Sequence, residues 1–218
     1  MFETLFMRTC VILAGSLLMA FIGSQISVKI TNNALQTGNV NTLQTSMWTA
    51  ICINIIAFLL LIFFKSNIIL SFIFMFFFTL SSGFTLGIYA FSAAPGVAQK
   101  AIMITALTTL ITGLIASYPG MDFAWLGNFL FIGLIILIII SVIRIFVKIK
   151  GSKSRLISGA GVLIFTGYLL YDFNNLSKLK NVAQANNWQT ALDFAVNIYL
   201  DIINLLMYLI DLLSSSNN

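Results

Sequence analysis

The chain has 218 residues, 60% of them hydrophobic and 8% charged, with a mean hydropathy of +1.03. An ordinary soluble domain carries roughly 45–50% apolar and about 25% charged residues, so a soluble globule is excluded; at about 20 apolar residues per crossing, the length fits roughly seven helical spans in one membrane domain, residues 1–218. Eleven Lys and Arg against six Asp and Glu, with no His, give a net charge of +5; the basic residues punctuate apolar runs, which excludes nucleic acid as a partner, and Cys10 and Cys52 form neither a disulfide framework nor a thiolate site.

In chain order, Thr9 to Val28 is uncharged and reads as helix one. Apolar segments follow it and no A-x-A site closes it, which argues against a signal peptide. Thr31 to Thr45, rich in Asn, Gln and Thr, reads as an exposed loop, and Met47 to Phe64 as helix two, ended by Lys65-Ser66-Asn67. Helix three runs from Ile68 to Phe91, Pro95-Gly96 breaks it, and helix four follows from Ala98 to Ser117, where Tyr118-Pro119-Gly120 stops it. Asp122 precedes helix five, Phe123 to Val147, whose Ile-rich centre suits lipid contact and is too long for a strand. A basic loop follows, with Arg144, Lys148, Lys150, Lys153 and Arg155 around it; Leu156 to Phe173 is helix six, Asn174 to Gln189 a polar connection, and Thr190 to Leu213 the last helix. The class is all-α, a seven-helix membrane bundle.

The last helix is unlike the others. Asp193, Asn197, Asp201, Asn204, Tyr208 and Asp211 are spaced 4, 4, 3, 4 and 3, which at about 100° per residue puts them within roughly an 80° sector. An ionisable group at bilayer depth costs at least about 2.5–3.5 kcal/mol, so this stripe is expected to face protein or water, with the C-terminal helix enclosed by the rest. Helix six adds Asp172 at its end and Tyr168 one turn before it, while Thr105, Thr108, Thr109 and Thr112 of helix four are expected to bond back to their own helix. Asp172 and Asp201 are the two acids that lie well within the spans or at their inner ends, away from the terminal residues. With no cation on either stretch, they are expected to share one proton, which makes them a pH sensor; once deprotonated they offer hard oxygen ligands suited to calcium. A static hydrogen-bonded pair that docks the last helix is the other reading of the same residues.

Phe165-Thr-Gly-Tyr-Leu-Leu-Tyr-Asp172-Phe-Asn-Asn, followed by Asn197-Ile-Tyr-Leu-Asp201-Ile-Ile-Asn204-Leu-Leu, closely resembles the last two helices of the Bax inhibitor-one (transmembrane Bax-inhibitor-motif) family. Ser82-Gly83-Phe84-Thr85-Leu86-Gly87 and Met121-Asp122-Phe123 are similar to its weaker internal motifs. The resemblance implies a central last helix wrapped by six others and a pH-sensitive calcium leak gated by a di-aspartyl pair, which falls on Asp172 and Asp201. Eukaryotic relatives are linked to suppression of cell death, and some bacterial ones to a membrane-bound protease. Where some bacterial relatives carry an arginine cluster at the end of helix two, proposed as a latch onto the helix-six aspartate, this chain has only Lys65, a point charge without arginine's fork. The resemblance also implies an amino terminus on the inside, whereas the Lys and Arg count of the loops, seven to four, favours the reverse.

The leading functional expectation is thus a pH-gated cation pathway with Asp172 and Asp201 as gate and calcium site, Asn197, Asn204, Tyr168 and Asp193 as supporting polar groups, and calcium and protons as the passing ions, with no resident cofactor. A regulator that binds another membrane protein through Phe-rich, lipid-facing surfaces such as Phe72, Phe74, Phe76, Phe77 and Phe78 is the alternative. An intramembrane aspartyl protease is a remote third, because Ile198-Tyr199-Leu200 stands where that class has G-x-G. The compact loops and the absence of any soluble domain suggest a bacterial inner membrane, and the leading expectation is of a protein that is not an enzyme.

Overall fold

A computed structural model describes residues 4–147, 151–180 and 182–215, so Lys148 and Lys150 of the basic cluster lie outside the described residues. Seven α-helices follow one another: α1 (Leu5–Thr37), α2 (Val40–Phe63), α3 (Ile68–Ser92), α4 (Val97–Ala116), α5 (Leu126–Phe146), α6 (Ser152–Leu179) and α7 (Trp188–Ser214), with one 3-10 turn at Ala183–Ala185. Among the described residues there is no strand. All seven helices are long and apolar enough to cross a bilayer. Their outward side chains are correspondingly greasy: Leu114, Phe129 and Phe146 are 75%, 69% and 82% exposed, surface that only lipid can cover without cost. The chain is an integral multi-pass membrane protein.

Several helix ends lie beyond the limits that polarity suggests. The expected loop Thr31–Thr45 is almost entirely helical. Thr31 Oγ1 donates to Ser27 O at 2.8 Å and Thr37 Oγ1 to Asn33 O at 2.8 Å, so these side chains bond into their own helix, and Ala34 is buried. The break narrows to Gly38, whose φ of 69° supplies the left-handed residue that ends α1 while Asn39 N–H reaches back to Ala34 O at 2.9 Å. Asn39 Oδ1 then caps α2 by accepting from Thr42 N–H. At 33 residues α1 is about 50 Å long, more than the roughly 30 Å hydrocarbon core, so a polar final turn is no penalty. In the same way α6 begins in the expected basic loop, directly after Gly151 (φ 65°), and continues through Leu179, because Asn174 and Lys178 find partners outside their own helix.

The helices group into two compact units. One holds α1, α2, α3 and the start of α7 through Val196. Its spine is a direct backbone contact between α1 and α3: a Cβ added at Gly83 would overlap the Ala20 backbone, and one at Gly23 the Leu80 carbonyl. Small residues permit the approach that dispersion forces in lipid require. Asn54 of α2 ties in by donating to Phe78 O at 3.1 Å and Ser81 Oγ at 3.2 Å, beside a Phe58–Phe78 ring contact with centroids 5.4 Å apart.

The other unit holds α4, α5, α6 and α7 from Asn197 onward. Glycines again set the contacts: Gly133 of α5 lies against Ile164, Gly167 of α6 against Leu130, and Gly161 of α6 against the Tyr208 ring of α7. Phe165 stacks on Tyr208 at 5.7 Å, so α6 and α7 run antiparallel with 165 opposite 208. Half of the most apolar window of α7 is buried, against 11–33% in the other six helices, which makes it the most enclosed element, as its polar stripe requires.

Candidate functional site

The stripe on α7 meets three different environments. Near the start of the helix, Asp193 forms an ion pair with Lys65 at 2.9 Å, both side chains partly exposed. Near its end, Asp211 pairs with Arg144 of α5 at 3.3 Å, and the same guanidinium donates to Ser154 Oγ. Asp201 stands 13 residues from either end of α7, about 20 Å in from each at 1.5 Å per residue, and is 6% exposed.

The structure brings Asp172 and Asp201 together. Asp172, 8% exposed on α6, faces Asp201 with the two carboxyls in hydrogen-bonding range. Among the described residues neither has a basic partner, whereas Asp122, Asp193 and Asp211 each have one. Asp201 Oδ2 is enclosed and no N–H or hydroxyl reaches it. Two ionised carboxylates offer only acceptors, so a hydrogen bond between them needs a proton. Two unpaired ions at this depth are costly, and one proton held between them removes one of the two charges and supplies the missing donor.

The supporting residues are distributed unevenly. Tyr168, one turn before Asp172, lies in electrostatic reach of both carboxyls. Asn204 spends an amide N–H on Leu200 O at 2.8 Å, which leaves its carbonyl oxygen as the only group it could lend an ion. Asn197 is exposed, and Asp193 belongs to its ion pair with Lys65. Lys65, in the resemblance the one cation available for a latch, pairs with Asp193; it extends from the end of α2, where the opening turns of α7 lie beside it in the same unit. On α4, Thr109 and Thr112 bond back to Thr105 O and Thr108 O as expected, but Thr105 Oγ1 is buried with no partner.

Two features were not anticipated. Asn174, placed by its polarity in a loop, is 2% exposed and clamps the α4–α5 connection onto α6: its Nδ2 donates to Ala116 O (3.2 Å) and Met121 O (3.0 Å), and its Oδ1 accepts from Phe123 N–H (3.1 Å). Lys178, one turn further on, donates to Asp122 Oδ1 in the same connection. The Lys178 ammonium and the Ala124 N–H hold the Asp122 carboxyl below the usual carboxylate range. At the other end of the chain Arg8 of α1 donates to Asn186 O at 2.8 Å and lies over the Trp188 ring at 5.3 Å, fixing the entry to α7. The only sequence signal for these was the helical spacing of Asn174 and Lys178 beyond Asp172.

The chain is similar in sequence to several known proteins. An uncharacterized protein of Helicobacter pylori is 30% identical over 209 residues, which are 92% of this chain and 81% of the relative. Another, from Campylobacter jejuni, is 27% identical over 216 residues, 97% of this chain and 88% of its own. Protein LIFEGUARD 1 of Arabidopsis thaliana is 32% identical over 143 residues, 63% of this chain, and the match spans 57% of the plant protein's own length. A family model described as inhibitor of apoptosis-promoting Bax1 matches residues 3–218, and the chain therefore belongs to the Bax inhibitor-one family.

Proposed function

We propose that the protein is a pH-gated cation pathway, passing chiefly calcium, in a bacterial inner membrane, with Asp172 and Asp201 as both proton sensor and ion site. The observation that carries this reading is the pair itself: two enclosed carboxyls in contact at the middle of the most buried helix, without a cation, in a protein whose other described acids are all neutralised. With the proton in place the two helices are held together. When it leaves, two negative charges face each other in a poorly solvated interior, and the system lowers its energy by separating α6 from α7, admitting water, or taking up a cation. Calcium suits the last course because it accepts carboxylate and carbonyl oxygens in a loose geometry.

Among the described residues no cluster of three or more Asp, Glu, His or Cys forms. Two carboxylates supplemented by neutral oxygens and water make a weak site, and weak binding is what conduction needs, since an ion must leave as readily as it enters. On this reading the pair moves ions and protons and catalyses no reaction. The test is calcium uptake into proteoliposomes between pH 5 and 8: flux should change with pH in the wild type and lose that dependence in Asp172→Asn and in Asp201→Asn. No flux above empty liposomes at any pH would refute the pathway.

The family description names a regulator of another protein, which supports a second reading in which the chain binds a membrane partner through exposed aromatic surface such as Phe72, Phe76 and Phe77 of α3; of the other two phenylalanines expected there, Phe74 is only partly exposed and Phe78 is buried against Phe58. A stoichiometric partner retained on purification, together with absent flux, would establish that reading over the first.

A further inference from the structure

Away from the carboxylate pair, the outer face of α6 carries an open groove of about 650 Å³. It runs from Ser152 and Arg155 along Leu156, Gly159 and Leu163, with Leu212 of α7 beside it. Gly159 deepens the slot: a Cβ built there meets nothing within 4 Å, while Leu156 and Leu163, 77% and 75% exposed, stand one turn before and one turn after it on the same face. The walls are apolar and belong to a membrane span, so the slot takes hydrocarbon.

One end of the slot is basic: Arg155 lines it, and Lys153, outside the lining itself, is exposed in the same first turn of α6. Neither forms an ion pair among the described residues; Arg155 Nη2 donates only to Ser215 O, at 2.7 Å, which leaves its charge uncompensated. Nearby Arg144 is already neutralised by Asp211. A hydrocarbon slot that opens at two uncompensated cations matches an amphiphile with one anionic end. A second apolar helix would leave the charges unmet, and an inorganic anion would leave the slot unfilled. We propose that this groove is a binding site for an anionic phospholipid, with an acyl chain packed along Leu156, Gly159 and Leu163 and the phosphate at the Arg155 end, within reach of Lys153.

Native mass spectrometry of the full chain in mild detergent tests it, titrating phosphatidylglycerol against phosphatidylcholine with the same acyl chains. Phosphatidylglycerol should bind about tenfold more tightly or better, the scale expected of two basic side chains at one anionic headgroup. The double variant Lys153→Gln/Arg155→Gln should bring the two lipids level. Gly159→Leu, for which there is open space and a gain in helix propensity, should weaken both lipids by filling the slot. Inorganic phosphate should neither bind nor compete. Equal wild-type affinity for the two headgroups, undiminished binding by Gly159→Leu, or competition by phosphate would each overturn the site. Calcium flux does not enter this measurement, so its outcome is independent of the reading given to Asp172 and Asp201.

Discussion

Replacing Asn174 by Ala should cost more than any other single polar truncation on α6 outside the carboxylate pair. The side chain makes three hydrogen bonds, to Ala116 O, Met121 O and Phe123 N–H, and is itself 2% exposed. A net hydrogen bond is worth about 0.5–1.5 kcal/mol, and a buried group stripped of its partner carries a desolvation penalty of about 1–3 kcal/mol. The bond to Ala116 O is fully buried, whereas the other two are partly buried and their backbone groups can recover water. The expected loss is therefore about 2–4 kcal/mol, against less than about 0.5 kcal/mol for Asn175→Ala, one position along and partly exposed. Thermal unfolding in detergent would compare the two variants, and hydrogen exchange would follow the Phe123 amide, whose protection should disappear in Asn174→Ala alone. Should the two variants melt together while Phe123 keeps its protection, the clamp is not what holds the α4–α5 connection.

The α1–α3 contact predicts that Gly83→Ala destabilises by about 1–3 kcal/mol relative to Gly15→Ala, because a methyl at 83 meets the Ala20 backbone while one at 15 meets nothing within 4 Å; equal melting of the two would refute the backbone approach. The Lys65–Asp193 pair has side chains 61% and 35% exposed, so a double-mutant cycle should return a coupling of only about 0–1 kcal/mol, and a much larger value would mean that the pair is shielded from solvent. Because the Asp122 carboxyl is held low by Lys178, its contribution is complete above the ordinary carboxylate range and is lost as pH falls through the lowered value. Lys178→Gln should move that loss to higher pH, as read by titrating the Asp122 carboxyl with NMR; an unmoved titration would show the ammonium to be irrelevant.

Some of this architecture is written in one dimension. Seven spans follow from apolar runs long enough to cross a bilayer, and the polar face of α7 follows from spacings of three and four, since an α-helix converts sequence distance into direction without help from the rest of the fold. Position well within the spans or at their inner ends singled out Asp172 and Asp201 among the acids. Polarity misplaced the helix ends, because Thr31, Thr37 and Asn174 satisfy their polar atoms within or beside a helix, where composition suggests a loop.

What tertiary structure decided is which charges are neutralised and which are not. Arg144 answers Asp211, Lys65 answers Asp193, and the two carboxyls at the middle of α7 and on α6 are left with each other among the described residues. Those pairings depend on the register in which one helix lies along another. That register is set here by glycines such as Gly161 beneath Tyr208 and Gly83 against Ala20, close contacts between residues far apart in the chain that no local pattern encodes.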